Sequence, residues 1–287
     1  MDTTHTAVKG SELHEQLAAY TRAWARHKVF FGTSCTYRRL GEHAQIFSTA
    51  CVDVSPQVPV PPPAVRVFLP QEFRLGVALM SEGLVYRFPH RHPVRVQQGA
   101  TNERFLDAGL LQEHLQTSLS PVVPHGSMVV LPIEQIYRTE NLSSTVLFEK
   151  LNRLLGALSP HYRYAVELRN REYLLPDYLD ILREREVAHV LTACIGMPSV
   201  LEQIQLPHIL TTDVAVVRAT PYMDTDLQLG IMETIRCCID GGTSLYIYIE
   251  DRGEDSSTLH AIEGLMDLLN ADLARLSPIR TLAARAA

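Results

Sequence analysis

The feature that most limits what this chain can become is a recurrence of eight short β-branched runs, spaced far enough apart to hold a helix between them. They are Val29 to Thr33, Ala50 to Val54, Arg74 to Ala78, Ser127 to Leu131, Tyr164 to Leu168, Ala188 to Thr192, Val214 to Arg218 and Ser244 to Ile249. Each reads as a strand. Several intervals carry apolar residues at helical spacing instead: Leu111, Leu115 and Leu119 before the fourth run, Leu147, Leu151, Leu154 and Leu158 after it, and Leu259, Ile262, Met266 and Leu269 after the eighth. Strand and helix in alternation, with crossovers of that length, require parallel strands, and eight such units close a barrel. The predicted fold is therefore α/β, a (β/α)8 TIM-type barrel, with an open doubly wound sheet as the alternative the same alternation permits. Leu13, Leu17, Tyr20 and Trp24 predict one extra amphipathic helix ahead of the first strand, packed against the barrel or closing it.

At 287 residues the length admits one large domain or two small ones, and the strand count assigns a single barrel domain to residues 11–275. The polar start, 1–10, and the Ala-rich end, 276–287, read as flexible. A hydrophobic share of 46% is ample for a core. The formal net charge of −6 supplies no basic field for phosphate backbones, so no nucleic-acid partner is expected. Nowhere do 18 apolar residues run together, and Met1 to Gly10 lacks the apolar core of a signal peptide, so no membrane association is expected. The five cysteines, Cys35, Cys51, Cys194, Cys237 and Cys238, are odd in number and form no C-x-x-C pair, which fits a reducing, cytoplasmic setting rather than a disulfide framework or zinc knuckle.

Two segments break the rhythm. Ser55 to Pro63 holds five prolines, a stiff arm leaving the second strand. Leu79 to Thr101 is long and irregular, of a kind often functional in compact domains, and contains a basic cluster from Arg87 to Arg95 with His90 and His92. An H-x-H spacing can chelate zinc, but no third ligand stands near in sequence, and a basic surface loop is the simpler reading. Cys237 and Cys238 read as packing residues, and Gly241 and Gly242 lead into a strand, as a turn rather than a phosphate cradle.

A set of motifs in register runs along most of the chain: FGTS at Phe31 to Ser34, NERFLDAGL at Asn102 to Leu110, YAVELRNREYLLPDY at Tyr164 to Tyr178, AHVLTA at Ala188 to Ala193, MPSVLEQI at Met197 to Ile204, TDVAVVRA at Thr212 to Ala219 and YIEDRGEDS at Tyr248 to Ser256. In order and spacing they resemble the YecE-like family of uncharacterised proteins (domain of unknown function 72). The resemblance implies a barrel and no particular activity. Against the family pattern, Cys35 and Thr36 stand for glycine and tryptophan, Asp53 and Ser55 for a glutamate and an asparagine, Ala78 for a lysine, and Glu250 and Asp251 for paired asparagines. The resemblance thus implies a divergent member with altered pocket positions.

In such a barrel, chemistry sits where the strands end, at their C-terminal rim. Strand side chains alternate, so Ala165, Glu167 and Arg169 share one face and Val166 and Leu168 the other, which places the charged pair in the barrel mouth. Glu167 as acid or base and Arg169 as an anion clamp form one reading, and a structural ion pair plugging the barrel forms the other. Arg218 ends the seventh strand on the face of Val214 and Val216, and two arginines at one rim favour an anionic small molecule. Asp53 shares a face with Cys51 and Ser55. Together with Glu250 and Asp251 it is a weak candidate for an oxygen-rich Mg²⁺ or Mn²⁺ site, without diagnostic spacing. The loop Glu250 to Asp255 otherwise reads as a solvated turn capped by Asp255 or Ser256.

Three functions stay open: a binding module with a drifted pocket at the rim, a hydrolase or lyase acting on an anionic small molecule with Glu167 as acid/base, and a nucleic-acid-processing, endonuclease-like barrel. The sequence specifies neither cofactor nor oligomeric state.

Overall fold

The structure is a computed structural model and describes residues 3–55, 69–90, 94, 97–116, 126–251 and 257–273. Its frame is eight strands: β1 (Val29–Cys35), β2 (Thr49–Val54), β3 (Arg74–Leu79), β4 (Met128–Pro132), β5 (Arg163–Glu167), β6 (Ala188–Thr192), β7 (Val214–Ala219) and β8 (Ser244–Glu250). Each coincides with one of the β-branched runs to within two residues. All neighbours pair in parallel and in sequence order, and β1 pairs with β8 from Val29↔Leu245 to Ser34↔Glu250, so the sheet closes on itself. Closure excludes the open doubly wound sheet.

The helices are α1 (Thr3–Ala25), α2 (Leu40–Ile46), α3 (Ala108–His114), α4 (Ser144–Ala157), α5 (Pro176–Glu184), α6 (Val200–Ile204), α7 (Thr225–Gly241) and α8 (Ser257–Leu273). Their ends follow local chemistry. Ser143 and Asp224 accept backbone N–H groups from Val146 and Leu227 to cap α4 and α7, Pro176 opens α5, and Gly242, at φ 68, ends α7 in the left-handed region. On α4, Leu147, Phe148, Leu151, Leu154 and Leu155 form one buried stripe.

Burial on both strand faces separates two cores. Outer-face residues such as Phe31, Val77, Leu131, Val166, Leu191, Val217 and Ile247 pack under the helices, while Cys51, Ala78, Val130, Ala165, Val190, Val216 and Tyr248 fill the barrel. Tyr248 reaches across the interior to Gly76, where a Cβ would lie 2.6 Å from the Tyr248 hydroxyl. Only a glycine on β3 leaves room for that ring.

The helix ahead of the first strand lies on the outer flank and does not close the barrel end. Trp24 meets Phe31 edge-on at 6.2 Å, the Thr21 hydroxyl donates to the Ile46 carbonyl at 2.7 Å, and the Tyr20 hydroxyl donates to the Met266 carbonyl at 3.3 Å. These contacts bind α1 to β1, α2 and α8, sealing the β8–β1 seam. Helical backbone begins at Thr3, within the stretch expected to be a flexible start. The proline arm beyond Ser55, His92, Leu119, the capping residues Asp255 and Ser256, and the tail at 276–287 lie outside the described residues.

Candidate functional site

Glu167 is the last residue of β5, and its alternation with Val166 leaves it buried inside the barrel mouth, as the strand parity predicts. Arg218 occupies the inner face near the end of β7, with Val214 and Val216 below it in the barrel. The two meet directly: Arg218 Nη1 donates to Glu167 Oε2. Arg169, just past the strand, donates from Nε to Glu167 Oε1 at 3.3 Å and from Nη1 to Glu134 Oε2 at 3.0 Å. On the other side Arg218 Nη2 lies 3.7 Å from Asp53 Oδ1 and donates to the Ser34 hydroxyl at 3.0 Å. The Thr192 hydroxyl adds a bond to Glu167 Oε1 at 3.3 Å. The result is a ladder of alternating charge across the mouth, Glu134, Arg169, Glu167, Arg218 and Asp53, drawn from the ends of β4, β5, β7 and β2.

The rim that carries this ladder is held by side chains clamped onto backbone. Asn170 accepts from Ile136 N–H at 2.8 Å and donates to the Ile136 carbonyl at 2.7 Å, locking the loops after β4 and β5 together. Gln203 does the same to Thr192, at 3.2 and 2.9 Å. Asn102 donates to the carbonyls of Glu82 and Val85, which ties the loop after β3. Asn102, Asn170 and Gln203 are motif residues of the sequence, and each serves positioning rather than contact with a reacting group.

Electrostatics follow from these contacts. Burial pushes the Glu167 carboxyl up, but the charges of Arg218 and Arg169 and their hydrogen bonds outweigh it and hold the carboxyl below the ordinary range. Burial alone would lower both arginines, yet Glu167 raises them, so the three remain charged together. Asp53 behaves oppositely. Its carboxyl is pushed up, first by burial and then by Glu167 and Glu250, with Arg218 opposing. Glu250 therefore bears on the same mouth.

Asp251 does not. One residue further along β8's path, it faces the helix layer, where its carboxylate takes Arg39 Nη1 at 2.7 Å and His43 Nε2 at 3.2 Å. His43 Nδ1 in turn meets the hydroxyl of Thr33, on the outer face of β1. Burial lowers the imidazole's pKa, with Asp251 opposing. A cavity of about 30 Å³ beside these groups has room for about one water. Among the described residues no three His, Cys, Asp or Glu side chains come together to hold a metal ion. Asp53, Glu250 and Asp251 thus do not form the oxygen-rich cluster considered from sequence, because period-two alternation sends Glu250 and Asp251 to opposite faces. His90 is exposed with its ring over Gly99.

Ser34, Glu134, Thr192 and the Thr33–His43 pair escaped the sequence reading. Strand parity could have found Ser34, Thr33 and Thr192; Glu134 lies in a loop, where no periodicity marks it.

Fold and mouth together define a closed parallel (β/α)8 barrel with an ionic, side-chain-filled C-terminal rim. The chain belongs to the family described as "Protein of unknown function DUF72", which matches residues 86–283. The match begins after β3, so Cys35, Thr36, Asp53, Ser55 and Ala78 fall outside it, while Glu250 and Asp251 fall within. A crystal structure of a DUF72 family protein from Thermotoga maritima is similar in fold, with a TM-score of 0.51 at 14% identity over 84% of this chain and 99% of that one. No curated protein sequence matches the chain. No helix among the described residues is long and apolar enough to cross a membrane.

Proposed function

We propose that the protein is a small-molecule binding barrel without turnover at its mouth, taking a ligand with an anionic group at Arg169. The observation that carries this reading is the commitment of Glu167. Both its oxygens accept from arginines, and one from Thr192 as well, so three of its roughly four acceptor positions are filled and its charge is committed to two cations, which disfavours its acting as an acid or base. Arg218 is equally engaged, by Glu167, Ser34 and Asp53. Arg169 is the more open cation, with 26% of its side chain exposed against 14% for Arg218. Its outer partner, Glu134, is a surface carboxylate that a ligand's anionic group can replace. The net charge of −6 supports a small anion over a polynucleotide, and five free cysteines support a reducing, cytoplasmic location.

One observation favours a hydrolase or lyase instead: Asp53 is half-exposed at the mouth, and its carboxyl is pushed up by burial and by Glu167 and Glu250. Calorimetric titration with acetate and inorganic phosphate separates the readings. Binding that is abolished in Arg169→Ala and tightened in Glu134→Gln supports the binding module. Turnover of carboxylate or phosphate esters that disappears in Asp53→Asn or Glu167→Gln overturns it.

A further inference from the structure

The mouth carries a second kind of surface that the charge ladder does not explain. Among the described residues, six large apolar side chains left exposed lie in the loops that follow strands, at the ladder's end of the barrel: Met80 and Val94 after β3, Tyr137 after β4, Leu175 after β5, Ile195 after β6 and Tyr222 after β7. Exposure reaches 95% at Ile195, 72% at Tyr222 and 62% at Tyr137. Single exposed apolar residues are ordinary, but six of them on the loops of one end of the barrel offer apolar surface to a ligand there.

The position of Ile195 ties this collar to the cation. It precedes Gly196, whose φ of 93 turns the β6 loop back so closely that a Cβ there would lie 3.8 Å from the Arg169 carbonyl oxygen and 3.4 Å from Gln135 Nε2. Tyr137 stands three residues beyond Glu134, the carboxylate now on Arg169, and Leu175 six residues beyond Arg169 itself. Tyr137, Leu175 and Ile195 thus stand on the three successive loops that follow β4, β5 and β6, the first two of which carry Glu134 and Arg169.

We infer that the ligand is an amphipathic carboxylate, a free small-molecule acid whose apolar body lies on Tyr137, Leu175 and Ile195 while its carboxylate replaces Glu134 on Arg169. This rests on the anion-binding reading of Arg169 and adds the chemistry of the remainder of the ligand. A carboxylate is the head group because the guanidinium already holds one. A free acid is the occupant rather than a peptide because a closed barrel has no strand edge on which a peptide backbone could pair.

Titration of the full chain with acetate, hexanoate and octanoate, and with octylammonium as the charge control, tests the inference. Octanoate is expected to bind at least about tenfold more tightly than acetate, since each buried methylene strengthens binding. Ile195→Ser and Tyr137→Ser, both at exposed positions, should remove most of that gain and leave acetate unchanged. Equal affinity for acetate and octanoate would leave the anion reading standing and sink the collar. Absence of binding by any of the three acids would sink the anion reading and the inference with it. Octylammonium binding as tightly as octanoate, or an apolar tripeptide acid binding more tightly, refutes the assigned chemistry. So does self-association in sedimentation that Ile195→Ser abolishes and octanoate leaves unaffected, which would make the collar a contact between copies.

Discussion

Glu167 on β5 and Arg218 on β7 are joined in a buried ion pair that spans the intervening strand, and β6 contributes Thr192 to the same carboxylate. Two charges removed from water are tolerated there because each has further partners, Arg169 for the glutamate and Ser34 with Asp53 for the arginine.

Removing one member should therefore cost far more than removing both. Glu167→Gln leaves the buried Arg218 with only the longer contact to Asp53 as charge compensation and is expected to lower stability by about 3 kcal/mol in urea unfolding. The double change of Glu167→Met with Arg218→Met should recover most of that loss. A single variant within about 0.5 kcal/mol of the parent would show that the pair is not the keystone of the mouth.

A second prediction concerns acid. His189, on the outer face of β6, is buried with Nδ1 on the Tyr178 hydroxyl at 3.0 Å, and burial holds its pKa down to about 4, against support from Gln203 and Glu167. An unfolded imidazole protonates near its ordinary value of about 6.5, so between these values the unfolded state binds the extra proton and stability rises with pH. On acidification from pH 6.5 to 4 this group should withdraw on the order of 3 kcal/mol. His43 acts in the same direction, whereas Glu167, held below the ordinary carboxylate range, loses its contribution only at lower pH. The difference between the parent and His189→Leu isolates the effect: its unfolding free energy should depend less on pH across this window, and an unchanged slope would contradict the assignment.

The barrel interior offers a third test, in the fit between Gly76 and Tyr248. Gly76→Ala places a methyl against the Tyr248 hydroxyl and should cost about 1 to 3 kcal/mol through overpacking. In the Tyr248→Phe background, where that oxygen is gone, the same change should cost clearly less, and the double-mutant cycle in thermal unfolding reads the coupling. Additive losses would place the tyrosine elsewhere.

How far the site was legible follows the range of the forces involved. The inward placement of Glu167 is a local matter, because Val166 and Leu168 must be buried under the helices and parity leaves the carboxylate no other side. The same rule separates Glu250 from Asp251, and grouping them as common ligands overlooked it. Glu134 carries no such mark, since a loop residue has no face until the loop is folded, while His43 sits on the buried face of the short helix α2 beside Leu40, Ala44 and Ile46.

The order and polarity of eight strands, the buried faces of the helices and the direction of each strand side chain were determined by the chain itself, through hydrophobic period and the pleat. Which charges meet was decided only by closure. Asp53, Glu134, Glu167 and Arg218 are up to 165 residues apart in sequence, and the curvature of a closed sheet, not any property of their neighbours, brings them to one mouth. Once there, Coulomb attraction in a water-poor interior commits Glu167 to two arginines and leaves Arg169 as the more open cation.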